Sequence, residues 1–341
     1  MRFDLLKTSL ANQRGVALMM VLWIFMVLTV LVAEFGRGMR DDAVATQNMA
    51  EEVQARGVAL GGIAQAIYRT MHAREDNSDD EADDDDPDVW KPDGSWHDGE
   101  YAGGKFSVRM IDESGKIPLN RADEATLRLV LTNVGVTGDE QEELTDAILD
   151  WRDTDSMKRL HGAEAEYYLH LPTPYRPKNG PFDSVDELLM VRGVTRELFY
   201  GLGTRNAAGA GGGLKVAKND KPAIALRDVF SVFSKSANIN VRNSPAPVLM
   251  ALMGGGEDDV EQVLEARGTD PGSALTLLRA KVGDPTVARR LVDRRASTIA
   301  IDARAVMQGA DIQARVGAVV DINEDGEGFH VMRWFDRLPA I

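Results

Sequence analysis

The longest apolar run of the chain covers residues 16–33, where Thr29 is the only polar residue. A run of this length and composition meets the minimum for a helix that spans a membrane. Apolar residues then recur between Val53 and Met71 at spacings of three, four and seven, which is typical of an amphipathic helix. The pattern therefore predicts one long helix over 16–73, a transmembrane segment that continues as a stalk packed on a domain.

Alternating apolar positions predict strands in two distant parts of the chain. The first part, 99–118, contains Phe106, Val108 and Met110 on one face. The second part, 297–341, contains three alternating stretches, which start near Ile299, Ile312 and Phe329. We expect these strands to form a small antiparallel sheet against the stalk helix.

The residues between these two parts have helical spacing. We assign 119–230 to a first helical domain and 231–296 to a second one, with the glycine-rich stretch 207–214 as a flexible link. A weak repeat relates Ile117-Pro-Leu-Asn-Arg-Ala to Ile239-Asn-Val-Arg-Asn-Ser at an offset of 122 residues. The predicted fold class is thus α+β, with a large all-α region of SAM-like or helix-hairpin-helix type inserted into a sheet.

The composition excludes or disfavours several classes of protein to which the chain could belong. The net charge of −15 disfavours nucleic-acid binding, and the absence of cysteine excludes disulfides and thiolate chemistry. Ten acidic residues lie in 75–88, so we assign 74–98 to a solvated acidic loop.

A second group of acidic residues suggests metal chemistry. Five carboxylates fall within seventeen residues and would repel one another if they packed together without a cation; they are Asp150, Asp153, Asp155, Glu164 and Glu166. Asp153, Asp155 and Glu164 occupy the first, third and twelfth places of an EF-hand loop, but Met157 and Lys158 stand where an oxygen ligand and a glycine are required. The two readings are a calcium site and an exposed loop neutralised by neighbouring basic residues.

Two other chemical readings are weaker. Residues 321–326 copy the first half of an EF-hand loop, although Asp325-Gly326 is better explained as a hairpin turn. The sequence contains no His-Glu-x-x-His, Gly-x-Ser-x-Gly or P-loop motif. We therefore expect no enzyme; the alternative is a membrane-anchored periplasmic metal-dependent hydrolase whose turnover depends on Asp153 or Glu164.

The residues before the apolar run resemble a processing site. The first fifteen residues carry a net charge of +2, which predicts a cytoplasmic N-terminus, and Arg14-Gly15-Val16 directly precedes the run. A simple signal anchor or a cleaved signal peptide would also fit. The arrangement resembles the type IV pilins and pseudopilins. That resemblance implies a leader 1–15, cleavage between Gly15 and Val16 by a prepilin peptidase, and N-methylation of Val16.

The resemblance narrows to the K-type minor pseudopilins of type II secretion systems. Type IV pilins and pseudopilins usually have glutamate at the fifth mature position, where this chain has Met20, and the absence of that glutamate is typical of the K type. The motifs that carry this resemblance are Asp150-Trp151-Arg152-Asp153-Thr154-Asp155, Gly162-Ala163-Glu164, Tyr167-Tyr168, Tyr175-Arg176-Pro177-Lys178-Asn179 and Gly193-Val194. The resemblance implies structural calcium in this stretch, with Asn179 as an added ligand.

The resemblance to K-type pseudopilins further implies a subunit at the filament tip that caps or nucleates the pseudopilus and supports protein export from the periplasm. The expected partners are I-type and J-type minor pseudopilins, the prepilin peptidase, the inner-membrane secretion platform and exported substrate. The expected location is the inner membrane, crossed once, with the bulk of the chain in the periplasm.

Overall fold

The computed structural model describes residues 13–75, 90–202, 224–310, 312–323 and 328–336. Most of the predicted leader, the acidic run 76–89 and the glycine-rich stretch 207–214 lie outside them. The helices and strands run in the order α1 (Gln13–Glu75), β1 (Asp93–Tyr101), β2 (Gly104–Asp112), β3 (Ile117–Pro118), α2 (Glu124–Asn133), α3 (Asp139–Arg152), α4 (Ala165–Leu169), α5 (Arg196–Tyr200), α6 (Leu226–Val229), β4 (Phe230–Ser231), β5 (Ile239–Asn240), α7 (Ala246–Met253), α8 (Glu257–Thr269), α9 (Pro271–Lys281), α10 (Pro285–Ala288), β6 (Leu291–Val292), β7 (Thr298–Met307), β8 (Gln313–Ile322) and β9 (Phe329–Phe335), with 3-10 helices at Glu113–Gly115 and Val185–Met190.

Helix α1 combines an exposed half and a packed half, as its sequence predicts. Its first part is apolar and entirely exposed, and by length and composition it is suited to cross a membrane. The second part buries one stripe against the sheet, formed by Ala55, Val58, Ala59, Ile63, Ala66 and Ile67. The three- and four-residue spacing of this stripe places it on one face of the helix.

The main sheet has the order β1-β2-β7-β8-β9, and every neighbouring pair is antiparallel. Strands β2 and β7 lie side by side, with Asp112 opposite Ile299, although the chain between them contains the whole helical region. Apolar side chains of β2, β7 and β8 pack against α1 in one core, among them Phe106, Ile301 and Val316. The predicted α+β class and the insertion of helices into a sheet are confirmed.

Strand β1 is the main difference from the prediction. We assigned 74–98 to an acidic loop, but β1 begins at Asp93 and pairs with β2 along its length. Its sequence has no apolar alternation, because this edge strand is largely exposed and is held by backbone hydrogen bonds to its neighbour. A search for period-two hydrophobicity therefore misses it.

Glycine sets the distance between α1 and the sheet. A Cβ atom at Gly62 would lie 2.8 Å from Phe106 Cδ2 and 2.8 Å from Val108 Cγ2. By contrast, a Cβ atom at Gly57, one and a half turns earlier, would have nothing within 4 Å. Gly62 is therefore required for close packing, whereas Gly57 is not.

The helical region forms a single hydrophobic core. Leu127 and Val130 of α2 belong to the same buried cluster as Val248 and Leu252 of α7. The stretches 119–230 and 231–296, which we assigned to two domains, thus pack together rather than as separate units. Local hydrophobic periodicity does not show which helices share a core, and for this reason the sequence suggested a division.

The weak internal repeat corresponds to a repeated structure. Strand β3 at Ile117 and strand β5 at Ile239 each lead into a helix, and α2 and α7 begin at Glu124 and Ala246, again 122 residues apart. Each short strand pairs in parallel with a later one, β3 with β4 and β5 with β6. The repeat therefore reflects two similar strand–helix units.

A buried carboxylate joins the sheet to the helical region. Asp112, at the end of β2, accepts hydrogen bonds from Ser114 N (2.8 Å) and from Asn240 Nδ2 (2.8 Å). Nearby, Ser244 Oγ donates to Gly115 O (2.7 Å). Burial raises the pKa of Asp112, although these hydrogen bonds oppose the rise.

Candidate metal centre

Three carboxylates converge where α3 ends and α4 begins. Asp153 is the C-terminal cap of α3, Asp155 follows it by two residues, and Glu164 is the N-terminal cap residue of α4. One side-chain oxygen from each lies within 4.8 Å of the others. The residues at the first, third and twelfth places of the loop 153–164 thus lie close together, although this loop lacks the fifth-place ligand and the sixth-place glycine of an EF-hand.

Several oxygens at this site lack a hydrogen-bond donor. Four buried oxygens accept no hydrogen bond of good geometry within the part of the chain described; they are Asp153 Oδ1, both carboxylate oxygens of Glu164 and Asn179 Oδ1. A buried acceptor without a partner costs about 1–3 kcal/mol, and more when it is charged. Four such oxygens in one place suit a hard cation, which prefers carboxylate and amide oxygens.

Asn179 is held in an unusual backbone conformation that directs it to this site. Its φ is +46°, in the left-handed region that non-glycine residues rarely adopt. Its side-chain Nδ2 donates to Asp155 O (2.5 Å), so that the opposite side of the amide, Oδ1, is left as an acceptor. The asparagine of the Tyr175–Asn179 motif therefore lies beside the three carboxylates, as the family resemblance implied.

Electrostatics support the same reading. Burial raises the pKa of Asp153, and the neighbouring charge of Asp155 raises it further. Burial also raises the pKa of Glu164, to which Asp153 and Asp155 contribute. Asp153 and Glu164 are therefore harder to ionise next to the neighbouring carboxylates, and a bound cation would reverse this effect.

Asp150 holds the loop that carries the three carboxylates. Its side chain is fully buried and accepts from Arg159 N at 3.2 Å, which holds the loop between α3 and α4. Burial, together with the charges of Asp153 and Glu164, raises the pKa of Asp150 to about 6. A Cβ atom at Gly162 would lie 1.9 Å from Asp150 Oδ2, so the Gly-Ala-Glu motif requires glycine for steric reasons.

Sequence reasoning missed one residue with a related role. Asp146 lies one turn before Asp150 on α3, and its Oδ2 accepts from His161 N at 3.0 Å. Two aspartates four residues apart share a helix face, so this spacing in a predicted helix could have revealed a pair that holds the loop. The prediction considered only the residues from Asp150 onward.

Aromatic side chains pack around Trp151, next to the loop that carries the carboxylates. Trp151 is buried, with its ring centroid 5.4 Å from that of Tyr168 and 6.3 Å from that of Phe182. Tyr175 donates its hydroxyl to Met190 O at 2.7 Å. The tryptophan and tyrosines of the quoted motifs thus pack against one another and fix the loop that carries the carboxylates.

Other predicted site residues lie elsewhere. Glu166 is exposed and lies outside the three-carboxylate group. Asp321 is paired with Lys235 and also accepts from Thr298 Oγ1, at 3.3 Å. Strands β8 and β9 form the expected antiparallel hairpin, while its turn at Asp325-Gly326 lies outside the described residues.

The processing residues lie in α1. Gly15, Val16 and Met20 belong to its first turns, and the side chains of Val16 and Met20 are exposed. Cleavage after Gly15 and methylation of Val16 stay predictions.

Comparison with known proteins gives a consistent picture. Residues 104–203 match the family model of type II secretion system protein K. The chain is 28% identical over 201 residues to type II secretion system protein K of Pectobacterium carotovorum, an alignment that covers 55% of this chain and spans only 61% of that protein. It is 26% identical over 297 residues to the Pseudomonas aeruginosa protein of the same name, with 81% of each chain covered.

The fold has a solved counterpart. A chain of the GspK-GspI-GspJ complex from enterotoxigenic Escherichia coli aligns with a TM-score of 0.56 at 15% identity, covering 87% of this chain and 98% of that one. At this identity the match supports the fold, while the sequence matches support the family. The sequence matches, together with a fold in which a long apolar helix packs on a sheet with inserted helices, support the recognition of this chain as a K-type minor pseudopilin of type II secretion systems.

Proposed function

We propose that this protein is the subunit at the tip of the type II secretion pseudopilus, where it caps or nucleates the filament and supports export from the periplasm. The observation that carries the proposal is the position of the helical region. It interrupts the sheet between adjacent strands β2 and β7 and contains its own hydrophobic core. A subunit with so large an insertion is too bulky to stack repeatedly within a tightly packed helical filament.

Met20 supports the same role. In the pilin-like families, a glutamate at the fifth mature position pairs with the N-terminal amine of the next subunit. Methionine cannot form this ion pair, so the subunit is suited to a place with no neighbour above it. The test is immunogold labelling of pseudopili from cells that express a tagged full chain. We expect label at one filament end, and label along the whole filament would contradict the proposal.

We propose the I-type and J-type minor pseudopilins as its direct partners. The solved structure with the matching fold is named as a GspK-GspI-GspJ complex, and the similarity of folds supports a comparable assembly here. The prepilin peptidase, the inner-membrane secretion platform and exported substrate complete the proposed set. Purification of the tagged chain from detergent-solubilised membranes should recover both minor pseudopilins in equal amounts, and their absence would contradict this part.

We also propose that α1 anchors the chain in the inner membrane, with the N-terminus in the cytoplasm and the domains in the periplasm. The exposed apolar start of α1 and the positive residues before it support this orientation. Cleavage should follow Gly15, with methylation of Val16. Mass analysis of the mature N-terminus should show Val16 in the wild type and the uncleaved chain in Gly15→Ala. Cleavage near residue 33, or an unchanged Val16 terminus in the variant, would contradict this reading.

We propose a structural calcium ion at Asp153, Asp155 and Glu164, with Asn179 as a further ligand. The orphaned oxygens and the raised pKa values of Asp153 and Glu164 support a cation at this place. Its role would be to fix the loop between α3 and α4. The alternative of a metal-dependent hydrolase is not favoured, because the matched relatives are named as secretion system components.

A further inference from the structure

A polar cleft lies where the helical region meets the far end of the sheet. It has a volume of about 910 Å³ and is lined by the segment after β4, the segment after β6 and the end of β8. Its charged lining residues within the described part of the chain are Lys235, Arg242, Arg294, Arg295, Asp293 and Asp321. Among the described lining residues, four cations face two anions, which makes this part of the cleft positive in a chain whose net charge is −15.

The two acidic residues are already neutralised. Arg242 Nε lies 2.7 Å from Asp293 Oδ1, and Lys235 pairs with Asp321 across the cleft. No ion pair is found for the side chains of Arg294 and Arg295 among the described residues. Arg294 is exposed, whereas Arg295 is half-buried and its buried Nη2 donates no hydrogen bond within the described part of the chain. The excess positive charge therefore belongs to these two arginines.

An unpaired guanidinium in a polar cleft favours an oxyanion. Guanidinium groups bind carboxylates and phosphates with paired, charge-assisted hydrogen bonds. The remaining lining is rich in neutral hydrogen-bonding groups, including Ser234, Asn238 and Ser297. Such groups suit an extended polar ligand, because they can satisfy its other donors and acceptors.

The size and lining of the cleft distinguish the ligand classes. A volume near 910 Å³ is large enough for several residues of a peptide and far exceeds that of one small ion. The described lining contains no aromatic side chain on which a nucleotide base could stack. The cleft lies at the end of the sheet beyond Met110, and Met110 contacts Thr70 near the end of α1. This end is far along α1 from the apolar part that is suited to cross a membrane, which disfavours a lipid headgroup.

We propose that this cleft binds an acidic peptide segment of a partner protein, whose carboxylates pair with Arg294 and Arg295. The inference goes beyond the proposed tip function and does not depend on calcium. It predicts that binding weakens as salt increases, because exposed charges are screened.

The test is calorimetric titration of the full chain in detergent with a short peptide of alternating glutamate and glycine. We expect saturable binding that Arg294→Gln and Arg295→Gln each weaken by about ten- to hundredfold, the effect of losing one charge-assisted hydrogen-bonded pair. Arg295→Lys should keep most of the affinity, since it keeps the charge. Arg289→Gln, at an exposed arginine outside the cleft lining, should bind as the wild type does.

Three results would overturn the proposal. The first is an unchanged affinity in both glutamine variants, provided that circular dichroism shows them folded. The second is equal binding of a matched peptide with glutamine in place of glutamate. The third is saturable binding of inorganic phosphate without binding of the acidic peptide.

Discussion

The proposed calcium site makes a quantitative prediction about Glu164→Gln. The three carboxylates place their nearest oxygens within 4.8 Å of one another, so each fully ionised pair repels by about 3 kcal/mol at an effective dielectric constant of 20. The substitution removes one charge from two of these pairs and nearly preserves shape. Because Glu164 makes no side-chain cap hydrogen bond, the glutamine costs α4 no cap.

The expected result has opposite signs with and without calcium. At a calcium concentration of about one hundred times Kd, binding stabilises the wild type by about 2.7 kcal/mol, which raises the melting temperature by about 5–10 °C. The variant should lose this shift. In chelator, however, it should melt at or above the wild-type temperature, because a repulsive charge has been removed.

The assay is thermal unfolding followed by circular dichroism, in calcium and in chelator. Glu166→Gln is the matched control, since Glu166 is exposed and lies outside the group; it should keep the full calcium shift. The reasoning would be refuted if the wild type showed no calcium shift, or if Glu164→Gln kept it. Equal loss in the Glu166 variant would show that the ligand set is wrong.

Three further predictions concern packing and pH. Gly62→Ala should destabilise the chain by about 1–3 kcal/mol, because the new Cβ would lie 2.8 Å from side chains of β2. Gly57→Ala should instead stabilise it by about 0.5–1 kcal/mol, because alanine has the higher helix propensity and nothing lies near its Cβ. Urea unfolding measures both changes, and equal effects of the two substitutions would contradict the packing argument. Gly162→Ala should also destabilise by about 1–3 kcal/mol or more, since its Cβ would overlap buried Asp150, and a wild-type melting temperature would refute this clash. Burial raises the pKa of Asp112, so its proton favours the folded state: this stabilisation is complete below the ordinary value of 3.8 and is lost as pH rises through the folded pKa. From about pH 4 to 7 the free energy of unfolding of the wild type should therefore fall more than that of Asp112→Asn. The variant should be less stable overall, because it loses hydrogen-bond acceptors. Parallel pH profiles of the two proteins in urea unfolding would contradict this prediction.

The sequence determined those features that depend on neighbours along the chain. An uninterrupted apolar run and its amphipathic continuation specified α1, and period-two alternation specified β2, β7 and β8. Spacing within one loop also indicated that Asp153, Asp155 and Glu164 could lie close together, because the geometry of a short loop depends little on distant segments.

The tertiary structure decided the features that depend on distant partners. Strand β1 is stable because it pairs with β2, which its own polar sequence does not encode. The two helical stretches share one core because α2 packs on α7, more than a hundred residues away. The placement of Asn179 beside the carboxylates, the exclusion of Glu166 and the cationic cleft likewise depend on how separate segments pack, and local periodicity contains no record of that packing.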